Sequence, residues 1–121
     1  MARILVVEDD ARVAALLAEV LAADGHAVDT ATDGLQALER LEAQAYDVLV
    51  TDVGMPRLDG PGLVRELARR RPELARRIVF VTGGVRAPET RRFLEAAGAP
   101  CLAKPFDPVR LCGAVRAVLE R

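Results

Sequence analysis

Apolar and polar positions along this chain fall into blocks of two kinds. Residues 4–7 (Ile-Leu-Val-Val), 48–51 (Val-Leu-Val-Thr) and 78–81 (Ile-Val-Phe-Val) are near-continuous apolar runs, the pattern of strands buried on both faces. Residues 26–30 alternate weakly and predict an edge strand, and 101–103 predict a short fifth strand. Between these runs the apolar residues recur at helical spacing. They are Val13, Leu16, Leu17, Val20 and Leu21; then Leu35, Leu38 and Leu41; then Leu63, Val64 and Leu67. A fourth helix carries Phe93 and Leu94, and a fifth carries Leu111, Val115, Val118 and Leu119. The punctuation agrees with this division. Asp24-Gly25 and Gly98 end helices, Thr32 or Asp33 can cap one, and Asp59-Gly60 is a turn signal. Pro72 stops the third helix, while Pro88 and Pro108 suit first turns.

Five strands alternating with five helices predict an α/β fold, with a parallel sheet, right-handed crossovers and helices on both faces. A length of 121 residues predicts one domain, spanning 1–121, with no room for an output domain. Composition narrows the picture further. Hydrophobic residues make up 51% and charged ones 29%, so the chain can bury a real core. Aromatics are only 3%, which leaves few stacking platforms for single-stranded nucleic acid. A net charge of -1 gives no field that draws the protein to DNA or to an anionic membrane. No apolar run approaches the ~20 residues that cross a bilayer. Cys101 and Cys112 have no metal-ligand spacing and are expected to be reduced thiols in a cytoplasmic protein. Six arginines between 65 and 77 read as a solvated helix face and loop, with a docking patch as the other reading.

The candidate chemistry lies where the strands end. Glu8 and Asp9 follow the first strand, Asp52 the third, Thr82 the fourth and Lys104 the fifth. In a parallel α/β sheet that edge is where ligands bind. Asp52 alone can be a turn residue, because Asp favours turns. One functional group after each of four strands outweighs that reading. Three carboxylates held together repel, each pair by about 4 kcal/mol at ~4 Å and an effective dielectric of 20. They lower that cost by taking up protons or by binding a hard cation, and Mg2+ prefers such oxygens. A carboxylate can also act as a nucleophile and become an aspartyl phosphate. Mg2+ and Lys104 then neutralise the phosphoryl oxygens, and the Thr82 hydroxyl can donate to one of them. The lone His26 falls at the far end of the second strand and reads as a surface residue.

Glu8-Asp9, Asp52, Thr82 and Lys104-Pro105, in this order and spacing, resemble the receiver domain of the response-regulator family across essentially the whole chain. The resemblance implies a flavodoxin-like sheet in the order 2-1-3-4-5. It implies that Asp52 accepts a phosphoryl group from a phosphohistidine on a histidine kinase or a histidine phosphotransfer domain. Asp9, Asp52 and the Gly54 carbonyl would ligate Mg2+, with Glu8 helping through water. Lys104 would contact the phosphoryl group, and Thr82 would couple it to the face made by the fourth helix, fifth strand and fifth helix. The Lys104-Pro105 bond would be cis. The protein would act in a two-component phosphorelay and perform no chemistry beyond its own phosphorylation and dephosphorylation. The Thr82-Gly83-Gly84 turn and the 100–106 run also resemble receivers at the C-terminus of hybrid histidine kinases.

Two departures from the family bear on function. An aromatic switch residue is common three positions before the lysine, where this chain has Cys101. Cys101 is expected to be a small buried hydrophobe, with redox sensing as the alternative. The signal must then pass through Thr82 and the backbone, with a smaller conformational change. Gly54 and Gly84 stand two residues after Asp52 and Thr82, with no side chain to orient an attacking water. A long-lived phosphorylated state is expected. Two other functions fit part of the pattern. A haloacid-dehalogenase-type phosphatase uses a similar constellation but wants a second Asp where Gly54 stands, and a non-phosphorylated receiver-like module would only bind protein.

Overall fold

The structure, a computed structural model, describes residues 2–54, 60–83 and 88–121. Five strands, β1 (Arg3–Val7), β2 (Ala27–Ala31), β3 (Val48–Thr51), β4 (Ile78–Thr82) and β5 (Cys101–Ala103), form one parallel sheet in the order β2-β1-β3-β4-β5. The helices are α1 (Ala11–Ala23), α2 (Gly34–Ala43), α3 (Gly60–Arg70), α4 (Pro72–Ala75), α5 (Pro88–Ala97) and α6 (Pro108–Leu119). This is the flavodoxin-like order that the resemblance implied. Register aligns the C-terminal ends: Val7 pairs with Thr51, Thr51 with Phe80, and Thr82 with Ala103.

The continuous apolar runs are explained by two cores, one on each face. Leu5, Val7, Leu49, Ile78 and Phe80 point toward α2, α3 and α4, where they meet Ala37, Leu41, Leu63, Leu67 and Leu74. Their neighbours Ile4, Val6, Val48, Val50, Val79 and Val81 point the other way, toward Leu17 and Leu21 of α1 and Leu111, Val115 and Val118 of α6. Successive residues of one strand therefore feed opposite cores, so residues 4–7 of β1, 48–50 of β3 and 78–81 of β4 are all apolar. Gly25 and Gly98 take positive φ (92° and 64°) just past α1 and α5, which only glycine does readily.

Four expectations need correction. The structure has a sixth helix, the one-turn α4. Pro72 does stop α3, but it also occupies the first turn of this next helix, and four residues are too few to show a period. Leu16 and Leu35 are exposed. The buried stripes are Ala14, Leu17 and Leu21 on α1 and Gly34, Ala37 and Leu41 on α2, and both leucines are rotated off them. His26 is not a surface residue, since its side chain is 8% exposed. Its Nδ1 accepts from the Ala2 amide at 3.1 Å, which draws the ring under the start of β1. Cys101 is exposed, because β5 is the edge strand beside β4 and is only three residues long. Asp59 of the turn signal and the turn residue Gly84 lie outside the described residues.

Candidate functional site

Backbone hydrogen bonds between strand ends build the site. The Asp52 amide donates to the Val7 carbonyl at 2.9 Å, and the Glu8 amide donates to Ala31 at 3.0 Å. The Lys104 amide donates to the Thr82 carbonyl at 2.8 Å. Glu8, Asp52 and Lys104 thus follow directly on the last residues of their strands, and Thr82 is itself the last residue of β4. Glu8, Asp9, Asp52, Thr82 and Lys104 come from four strands and share one edge of the sheet.

Local chemistry then fixes their side chains. Asp10 turns away from the site: its Oδ1 accepts from the Arg12 and Val13 amides at 2.9 and 3.4 Å, capping α1. The Asp10 amide donates to Glu8 Oε2 at 3.0 Å. Asp52 Oδ1 accepts from the Val53 amide at 2.7 Å, and Asp52 Oδ2 lies 3.2 Å from Lys104 Nζ. The same Nζ meets Glu8 Oε1 in an ion pair. Lys104 therefore bridges Glu8 and Asp52, its aliphatic stem passing over Gly83. The Lys104–Pro105 peptide bond is cis.

Burial makes these charges strongly interdependent. Glu8 is 1% exposed, and Asp52 and Thr82 are buried, whereas Asp9 and Gly54 are exposed. Burial pushes the Glu8 carboxyl up, against the lowering effect of Lys104 and the Asp10 amide. Burial also works to lower Lys104, but its contacts with Glu8 and Asp52 outweigh this and push it up. One carboxylate oxygen each from Glu8, Asp9 and Asp52 lies within 4.8 Å of the other two. Three hard oxygen donors at this spacing suit a cation of the Mg2+ class, with water completing its shell.

The resemblance implied a role for Glu8 through water; its direct contact with Lys104 joins residues 96 positions apart, which no local pattern signals. The Asp10 cap was not among the expectations, although an Asp just before a helical apolar pattern is a recognisable signal. Cys101 stands in register with Phe80, away from the acids. Desolvation pushes its thiol up, away from the thiolate that redox sensing needs. Among the described residues, no helix is long and apolar enough to cross a membrane.

Comparison with known proteins follows the same lines. Residues 4–116 match the family model described as the response regulator receiver domain. The response regulator MprA of Mycobacterium ulcerans is 39% identical over 119 residues, covering 98% of this chain and 50% of MprA. The chain spans about half the length of the curated relatives it matches. Among solved structures, the chemotaxis protein CheY4 of Vibrio cholerae superposes with a TM-score of 0.85 at 30% identity, covering 98% of each chain. NtrX of Brucella abortus gives a TM-score of 0.87 at 33% identity over 98% of this chain and 27% of NtrX.

Proposed function

This chain belongs to the response regulator receiver domain family, and on that premise we propose that Asp52 is its phosphoacceptor in a two-component phosphorelay. The donor is a phosphohistidine on a histidine kinase or histidine phosphotransfer domain. The observation that carries the reading is the contact set of Asp52: a buried carboxylate with Lys104 Nζ at 3.2 Å and two further carboxylates beside it.

An Asp52 carboxylate oxygen attacks phosphorus, the P–N bond breaks, and the imidazole nitrogen keeps the electron pair. The Val53 amide holds Oδ1 at 2.7 Å and so fixes the plane of the nucleophile. Lys104, bridging Asp52 and Glu8, is close enough to follow the incoming phosphoryl oxygens as a point charge. Thr82, the last residue of β4, offers a hydroxyl. Asp9, Asp52 and the Gly54 carbonyl would hold Mg2+, with Glu8 acting through water. When bound, the ion offsets the negative charge gathered at phosphorus. Sparse machinery is consistent with a non-catalytic signalling module whose nucleophile is used once per signal.

Incubation with acetyl phosphate and Mg2+ should add one phosphoryl group to the protein, read by intact mass. EDTA or Asp52→Asn should abolish the addition. Labelling that survives Asp52→Asn would sink the assignment, and the absence of labelling in the unmodified protein would favour a module that only binds protein.

A further inference from the structure

Helix α5 is held to the molecule differently from its neighbours. None of its residues is buried, whereas α1 and α6 each bury three. It touches the core through Phe93 and Leu94, both half-buried. The Phe93 ring meets the Phe80 ring edge-on, with centroids 5.9 Å apart and planes at 76°, a geometry in which aromatic pairs attract. Phe80 is fully buried on β4, two residues before Thr82. Strand alternation sets Ile78, Phe80 and Thr82 on the same face, the face that α5 covers. Beside the ring pair is a cavity of about 240 Å³, lined by Val64, Ile78, Phe80, Phe93, Ala96 and Ala99 among others. Phe80 is also the register partner of Cys101, the position that lacks an aromatic ring.

We propose that Phe93 is the ring that couples the phosphoacceptor edge to α5, in place of an aromatic side chain at position 101. The inference rests on the reading of Asp52 as the phosphoacceptor. When the end of β4 shifts with Thr82, Phe80 shifts on the same face of the same strand. The edge-on contact passes that shift to Phe93. Because α5 has no buried anchor, the helix follows its ring. The cavity lets Phe93 change its seat without displacing packed side chains, which a close-packed core would resist.

The test is amide NMR with Mg2+ and beryllofluoride, a phosphoryl mimic, on the unmodified protein and on Phe93→Leu. Leucine keeps an apolar group at the contact but removes the ring. In the unmodified protein, amides near Asp52 and Thr82 and along α5 should all shift. In Phe93→Leu the shifts near Asp52 and Thr82 should persist, while those along α5 should be largely lost, because the edge-on ring contact is gone. Full-sized α5 shifts in Phe93→Leu overturn the inference and leave the phosphoacceptor reading intact. So do α5 amides that stay put in the unmodified protein while Asp52 and Thr82 respond. No response near Asp52 and Thr82 in the unmodified protein overturns the phosphoacceptor reading and the inference with it.

Discussion

Single side chains in this protein report on their surroundings with little ambiguity. Tyr46 is the one tyrosine and there is no tryptophan, so phenolate absorbance follows one group. Its hydroxyl donates to Asp29 Oδ2 at 2.6 Å. Burial first, then the hydrogen bond and charge of Asp29, push its pKa up to about 12. The folded value lies above the ordinary one of about 10, so the folded state favours the protonated phenol. Its contribution to stability is complete below about pH 10 and disappears as pH rises through about 12. A stopped-flow pH jump, read before unfolding, should show a midpoint near 12, and Asp29→Asn should lower it while burial keeps it above 10. An unchanged midpoint in Asp29→Asn would mean that burial alone sets it. Gly54 carries a second prediction. Among the described residues, a Cβ added there meets nothing within 4 Å, so Gly54→Asn alters the chemistry beside Asp52 without crowding them. A carboxamide that orients water should shorten the phosphorylated half-life about five-fold, the worth of one ~1 kcal/mol hydrogen bond. An equal half-life in acid-quenched time courses would show that the glycine does not set the lifetime.

At the scale of elements, stability should follow burial. Helix α6 has Asp107 capping its first turn, through the Val109 amide at 2.9 Å, and buries Leu111, Val115 and Val118. Helix α5 has no buried residue. Its amides should exchange with deuterium at least about ten-fold faster than those of α1 and α6, because local opening exposes little apolar surface. Protection of α5 equal to that of α6 would contradict this. The same contrast explains what was legible in the chain. Strands β1, β3 and β4 were plain because residues on both their faces are buried, which produces unbroken apolar runs. Helix α4 was not, because PELA is too short for a period and its one buried side chain, Leu74, has no partner in sequence. Leu16 and Leu35 looked like core residues because periodicity locates a stripe only to within about one residue's rotation, roughly 100°. The surrounding elements decide which edge of the stripe is covered.

Across the whole molecule, the gathering of the candidate site residues at one edge was legible for a topological reason. A parallel sheet delivers every strand's C-terminal end to one edge, so residues far apart in sequence become neighbours once the strands are recognised. What the topology does not specify is which side chain pairs with which. That Lys104 engages Glu8 as well as Asp52 depends on side-chain length and burial across four strands. Nor does topology say that β5, as a short edge strand, leaves Cys101 exposed. The charge balance that results makes a prediction for the molecule as a unit. Glu8, Asp9 and Asp52 put three carboxylates around one ammonium, and folding brings together charges that the unfolded chain keeps apart. A divalent cation that binds only the folded cluster must stabilise the whole domain. At a free concentration 100-fold above its Kd the gain is about 2.7 kcal/mol, or a Tm rise of roughly 8–13 °C for a domain of this size. Asp9 is exposed and outside both cores, so Asp9→Asn should leave the Tm without Mg2+ nearly unchanged or raise it by relieving repulsion. The same substitution should flatten the Mg2+ dependence. A melting series that rises equally with Mg2+ in both proteins would locate the cation away from this cluster, and the role proposed for Asp9 would fall.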